Sequence, residues 1–187
     1  MFIQTEQTPN PQTLKFLPGK VVMDEGTAFF QNVDEASNSP FAKRLFKVEG
    51  VEGVFFGSDF VTITKAQSID WQVMKPLVLS SIMDHFNSNE ETVILDKKID
   101  NNSLESKDDD NDIVKQIKEL LDTRVRPAVA MDGGDIVYDS FKDGIVYLHM
   151  QGACSGCPSS TATLKMGIEN MLKHYVPEVK EVKPINA

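Results

Sequence analysis

GIVYLHMQGACSGCPSSTATLKMGIENMLKHYVP, residues 144–177, changes from one periodicity to another around a pair of cysteines. Ahead of the pair, GIVYLHM (144–150) has the alternation of a β-strand, with His149 on the same face as Ile145 and Tyr147. Behind it, Leu164, Ile168, Leu172 and Tyr175 fall on one helical stripe, which Pro177 stops. Upstream, DIVYDSF (135–141) is a second strand, joined to the first by a short turn at Lys142, Asp143 and Gly144. Before it, Ile113, Ile117, Leu120 and Leu121 keep helical spacing, with Asp112 placed as cap and Pro127 as terminator. VKEVKPI (179–185) closes the chain as a strand, so this half reads α-β-β-α-β.

The rest of the 187 residues divides by charge. Residues 1–95 carry 12 acids and 7 bases, residues 96–112 carry 7 and 3, and residues 113–187 carry 9 of each. The middle stretch, DKKIDNNSLESKDDDND, has only Ile99 and Leu104 as aliphatics and no periodicity. Such a segment buries too little surface to offset its ordering entropy, and it reads as an acidic flexible linker. The expected organisation is α+β throughout: a small domain at 1–95, the linker at 96–112 and a second small domain at 113–187.

In the first half, FIQTEQ (2–7), LKFL (14–17) and VVM (21–23) are β-like runs between Pro and Gly punctuation. Ser39 and Pro40 read as the cap and first position of a helix through FAKRLFKV, which Gly50 ends. VEGVFF and FVTITK then flank a turn at Gly57, Ser58 and Asp59. Ser68 is the expected cap of a last helix reaching Phe86, with Pro76 in its first turn or kinking it.

Composition excludes several function classes. Lys and Arg total 19 against 28 Asp and Glu, a formal net charge of −9, and a nucleic-acid binder would carry the opposite excess. No apolar run approaches the ~18 residues of a membrane helix. The first residues have neither the basic end and apolar block of a secretory signal nor the Arg-rich pattern of a transit peptide. With two cysteines, Cys154 and Cys157, no disulfide framework is expected. The compartment is therefore expected to be reducing: bacterial cytoplasm first, the mitochondrial matrix if the chain is a processed organellar form.

The chemistry concentrates in Gly152-Ala153-Cys154-Ser155-Gly156-Cys157-Pro158, between a strand and a helix. The helix N-terminus favours negative charge, hence thiolate, the form that binds metal or attacks disulfides. Gly152 and Gly156 permit a tight turn and close approach to a bound group. Three chemistries fit: a redox dithiol, half of an iron–sulfur site, and half of a structural zinc site. Both metal options ordinarily need four protein ligands, so Cys154 and Cys157 from each of two chains would complete the site across a symmetric dimer.

VRPAVAMDGGDI (125–136) followed by GACSGCPSSTATLKMGIENML (152–172) resembles the NifU-like C-terminal domain of the Nfu family of iron–sulfur scaffold proteins. TPNPQTLKFLPG (8–19), with WQVMKP (71–76) and IMDHF (82–86), resembles that family's N-terminal domain. The resemblance implies a non-enzymatic scaffold or carrier that holds a [4Fe-4S] cluster between two subunits. Cys154 and Cys157 match the family's cluster ligands. Implied partners are upstream cluster-assembly proteins, apo iron–sulfur clients and a second copy of the chain, with neither nucleic acid nor membrane. A thiol–disulfide oxidoreductase is the alternative function.

Other residues read more simply. Asp132-Gly133-Gly134-Asp135 is expected to be a turn leading into a strand that could shape the surface near the cluster. His149 is expected to be packed or solvent-facing. His85 and His174 lie near helix C-termini, where partial positive charge is favourable. Met166 and Met171 are read as packing residues, and Trp71, Phe55 and Phe56 as core of the first domain.

Overall fold

The computed structural model describes residues 1–94, 112–156 and 158–185, with the backbone alone at 158–161. The chain forms two compact α+β units, Met1–Lys98 and Ile99–Ala187. Most of the segment read as a linker lies outside the described residues. Asp112, at its end, is the first residue of a helix rather than the cap before one.

The first unit is a five-stranded antiparallel sheet carrying two helices. The strands are β1 (Gln4–Gln7), β2 (Thr13–Leu17), β3 (Ala28–Phe30), β4 (Val51–Phe56) and β5 (Val61–Lys65), in the order β1-β2-β5-β4-β3. Helix α1 (Pro40–Phe46) starts as its sequence predicts: the Ser39 hydroxyl accepts a hydrogen bond from the Ala42 N–H at 3.0 Å, and Pro40 opens the first turn. Helix α2 (Trp71–Ser88) is capped by Asp70 and not by Ser68, and Pro76 lies in its interior. VVM forms no strand. Val22 and Met23 N–H groups instead bond the Ser58 carbonyl, and the edge strand is the unforeseen β3, paired to β4. Phe16, Phe41, Phe55, Phe56 and Met74 are fully buried, while Trp71 packs at the core margin with its Nε1 donating to the Pro11 carbonyl.

His85 differs from its sequence reading. It is 2% exposed, and its ring stacks on Phe41 with centroids 3.9 Å apart and planes 4° from parallel. Burial first, then the nearby Arg44 charge, push its pKa down to about 4, against a smaller opposing pull from Glu90. A neutral aromatic ring is packed here, so a favourable charge at the helix end is not its role at neutral pH. His174 does lie in the last turn of its helix, edge-on to Tyr175.

The second unit follows the expected α-β-β-α-β order. Helix α3 (Asp112–Leu120) does not end at Pro127. It widens into a π-turn over Leu121–Val125, where the Arg126 N–H bonds the carbonyl of Leu121 five residues back, and continues as α4 (Arg126–Met131). The wide turn accommodates a proline that brings no N–H of its own. Strands β6 (Gly134–Lys142) and β7 (Ile145–Gly152) form an antiparallel hairpin, α5 (Pro158–Tyr175) crosses over, and β8 (Glu181–Ile185) pairs parallel to β7. A parallel neighbour requires such a crossover. Glu169 on α5 ties it down by accepting the Val182 N–H at 3.1 Å.

Candidate functional site

The cysteine turn sits at the open end of the β6–β7 hairpin. The last ladder pair is Gly134 opposite Gly152, and beyond it the chain reverses through two hydrogen bonds between residues three apart, Cys154 N–H to Gln151 carbonyl at 3.3 Å and Ser155 N–H to Gly152 carbonyl at 3.1 Å. Gly152 at φ 60° and Gly156 at φ 72° supply left-handed backbone on either side of Cys154. Helix α5 begins at Pro158, immediately after the second cysteine. Cys154 is only 6% exposed and belongs to the unit's apolar core. Cys157 lies outside the described residues.

The DGGD motif is a structural support for this turn. Asp132 ends α4, and Gly133 at φ 81° turns the chain into β6. The Gly133 carbonyl accepts the Ala153 N–H at 3.1 Å, which joins the motif directly to the cysteine turn. Gly134 approaches so closely that a Cβ there would lie 2.6 Å from the Cys154 sulfur. Asp135 is 3% exposed and receives a two-pronged hydrogen bond from Arg126, Nε to Oδ1 at 2.9 Å and Nη2 to Oδ2 at 2.8 Å. That bond, with Asp122 on the outer side, holds the Arg126 pKa above its ordinary value. Sequence reasoning missed Arg126 entirely. The signal was available in part, as an arginine nine residues before an aspartate at the start of a strand.

The remaining candidates fall to structural roles. His149 is on the outer face of β7, as alternation predicts, and its Nε2 lies 2.9 Å from Oδ1 of Asp139, the extra residue of a β-bulge in β6. Met171 packs against the core, but Met166, read as a packing residue, is 65% exposed. Among the described residues, no group of three or more His, Cys, Asp or Glu side chains could hold a metal ion. A cleft of about 690 Å³ in the first unit, with His85 and Phe86 in its wall, gathers no such group either. No helix is long and apolar enough to cross a membrane, among the described residues.

The chain is thus a two-domain α+β protein, one of whose units carries a cysteine on a glycine-flanked turn. Residues 3–89 match the family described as scaffold protein Nfu/NifU N terminal, and residues 117–183 match the NifU-like domain. The chain belongs to the Nfu family. It is 52% identical over 185 residues to NifU-like protein 4, mitochondrial, of Arabidopsis thaliana, covering 98% of this chain and 65% of that one. It is 53% identical over 186 residues to NFU1 iron-sulfur cluster scaffold homolog, mitochondrial, of Drosophila persimilis, covering 99% and 65%. The chain thus spans 65%, just under two-thirds, of the length of each of these relatives. The solution structure of a NifU-like protein from Saccharomyces cerevisiae aligns at a TM-score of 0.45 and 28% identity, covering 50% of this chain and 84% of that one. Both named relatives are mitochondrial, so the expectation of a bacterial cytoplasm gains no support from them.

Proposed function

We propose that this protein is an iron–sulfur cluster scaffold or carrier: Cys154 and Cys157 of two chains hold one [4Fe-4S] cluster, which passes to apo-proteins. The observation that carries the reading is the turn itself. Cys154 stands between two left-handed glycines at the junction of β7 and α5, in a chain whose one other cysteine is three residues away. The name of the Drosophila relative, an iron-sulfur cluster scaffold homolog, supports the same reading.

Ligand arithmetic then sets the assembly. A [4Fe-4S] cluster takes four thiolates and one chain offers two, so the cluster bridges a homodimer. Binding free energy accrues to the dimer alone, and cluster loading and dimerisation are coupled. A cluster shared between chains is released by thiolate exchange when a client presents its own cysteines, a transfer that needs no catalytic turnover. Upstream assembly proteins supply the cluster. The mitochondrial matrix is the compartment we assign, because both named relatives are mitochondrial.

Anaerobic reconstitution tests this, with iron, acid-labile sulfide and zinc measured on a sample sized by light scattering. About four iron and four sulfide per dimer are expected. Cys154→Ala and Cys157→Ala should each abolish loading and dimerisation together. A metal-free monomer cycling between dithiol and disulfide would overturn the proposal.

A further inference from the structure

We propose that Gly134 is a positioning residue for Cys154, kept in place by the Arg126–Asp135 ion pair; its consequence for cluster binding rests on the function proposed above. Gly134 is not among the residues with positive φ, so its backbone would accept an alanine. Space is what forbids one. A Cβ at 134 would lie 2.6 Å from the Cys154 sulfur, 2.8 Å from the Gln151 carbonyl oxygen and 2.9 Å from the Cys154 nitrogen. These are far inside van der Waals contact, so either the sulfur or the turn must move. The opposed pair Gly134 and Gly152 leaves the end of the β6–β7 ladder without side chains, and the sulfur of Cys154 takes up room on the Gly134 side.

The seat is fixed from two directions. Through the Gly133 carbonyl it is bonded to Ala153, next to the cysteine. Through Asp135 it is clamped to α4, where Arg126 engages both carboxylate oxygens and Asp135 Oδ1 also accepts the Ile136 N–H at 2.8 Å. A two-pronged guanidinium–carboxylate bond fixes direction as well as distance. Loosening the clamp therefore lets Gly134 drift from the sulfur, and filling the seat expels the sulfur.

The test uses the full chain carrying Cys157→Ser, so that Cys154 is its one thiol, and reads the rate of iodoacetamide alkylation. Gly134→Ala should raise that rate by about tenfold or more, equivalent to about 1.4 kcal/mol of opening free energy. The tyrosine near-UV signal of the second unit should persist. An unchanged rate in a folded Gly134→Ala chain would overturn the inference. Should Gly134→Ala not fold, Arg126→Gln carries the test, with a smaller rise expected and no rise counting against it. With both cysteines restored, Gly134→Ala should load less cluster than the parent chain and show an altered visible spectrum. A parent chain that loads none sinks the proposed function while leaving the alkylation result to judge the seat.

Discussion

Two of the buried ionisable side chains, His85 in the first unit and Asp135 in the second, are treated by the protein in opposite ways. His85 in the first unit keeps no charge at neutral pH: it stacks on Phe41, and its Nδ1 has no hydrogen-bond partner among the described residues. Asp135 in the second unit is just as buried, at 3% against 2%, yet receives two hydrogen bonds from the Arg126 guanidinium. The difference follows from what the alternative would cost. A histidine can discharge for little near its ordinary pKa, whereas a buried guanidinium–carboxylate pair is compensated by the hydrogen bonds it makes to itself. Position adds a second reason: His85 fills a core, while Asp135 fixes the turn that seats Cys154.

The chain itself supplies a separate probe for each unit. Its one tryptophan, Trp71, is in the first unit, and its three tyrosines, Tyr138, Tyr147 and Tyr175, are all in the second. The largest effect is expected from breaking the ion pair on one side only. Arg126→Ala leaves a buried carboxylate without its partner, which should destabilise the second unit by about 3 kcal/mol, the lower end for a buried pair because Arg126 is itself 37% exposed. Urea unfolding followed by the tyrosine near-UV signal should show the loss. A tyrosine transition that does not move would mean that Asp135 is not held as the geometry describes.

Acid tests the other half of the comparison. The folded state holds the His85 pKa at about 4, below the ordinary 6.5. As pH falls, the unfolded chain takes up its proton first, so stability is whole above about 6.5, declines between 6.5 and 4, and levels off below 4 as far as this group decides it. The expected loss is roughly 2–3 kcal/mol in the first unit. His85→Phe, which keeps the stack without the titration, should flatten this part of the tryptophan-reported pH profile. An unchanged profile would assign the acid sensitivity elsewhere.

These pairs also mark how far the sequence could be read. Ser39 with Pro40, VEGVFF, the β6–β7 hairpin and the α5 stripe at Leu164, Ile168 and Leu172 were legible because each depends on residues within a few positions of one another, whereas Tyr175, read on the same stripe, is 40% exposed. So was the cysteine turn, through its glycines. The remainder depends on distant partners. Strand β3 is three residues long and exists by pairing with β4, more than twenty residues later. Ser68 and Asp70 are both cap residues, and only the start of α2 decides between them. Pro127 reads as a stop unless the π-turn is known. Gly134 looked like a turn glycine because its closeness to the Cys154 sulfur belongs to the folded hairpin and to nothing in its neighbours. Arg126 and Asp135 meet across the start of α4 and the entry to β6, nine residues apart, a spacing that no helix or strand periodicity announces.

A neutral buried group should matter least, and Ser39 measures by how much. It is fully buried, accepts the Ala42 N–H, and donates to the Thr92 carbonyl, so one hydroxyl caps α1 and also ties it to the stretch after α2. The Ile94 N–H reaches the Asn38 carbonyl beside it, and Arg44 meets Glu90 at 2.8 Å, so the tie does not depend on Ser39 alone. Ser39→Ala removes a cap and leaves one carbonyl short of a partner, with no charge stranded. The expected cost is about 1–2 kcal/mol, seen as a lower urea midpoint in tryptophan fluorescence with an unchanged slope. A loss as large as that of Arg126→Ala would erase the distinction between neutral and charged burial. A fall in slope would instead show that the stretch after α2 had come away from the unit.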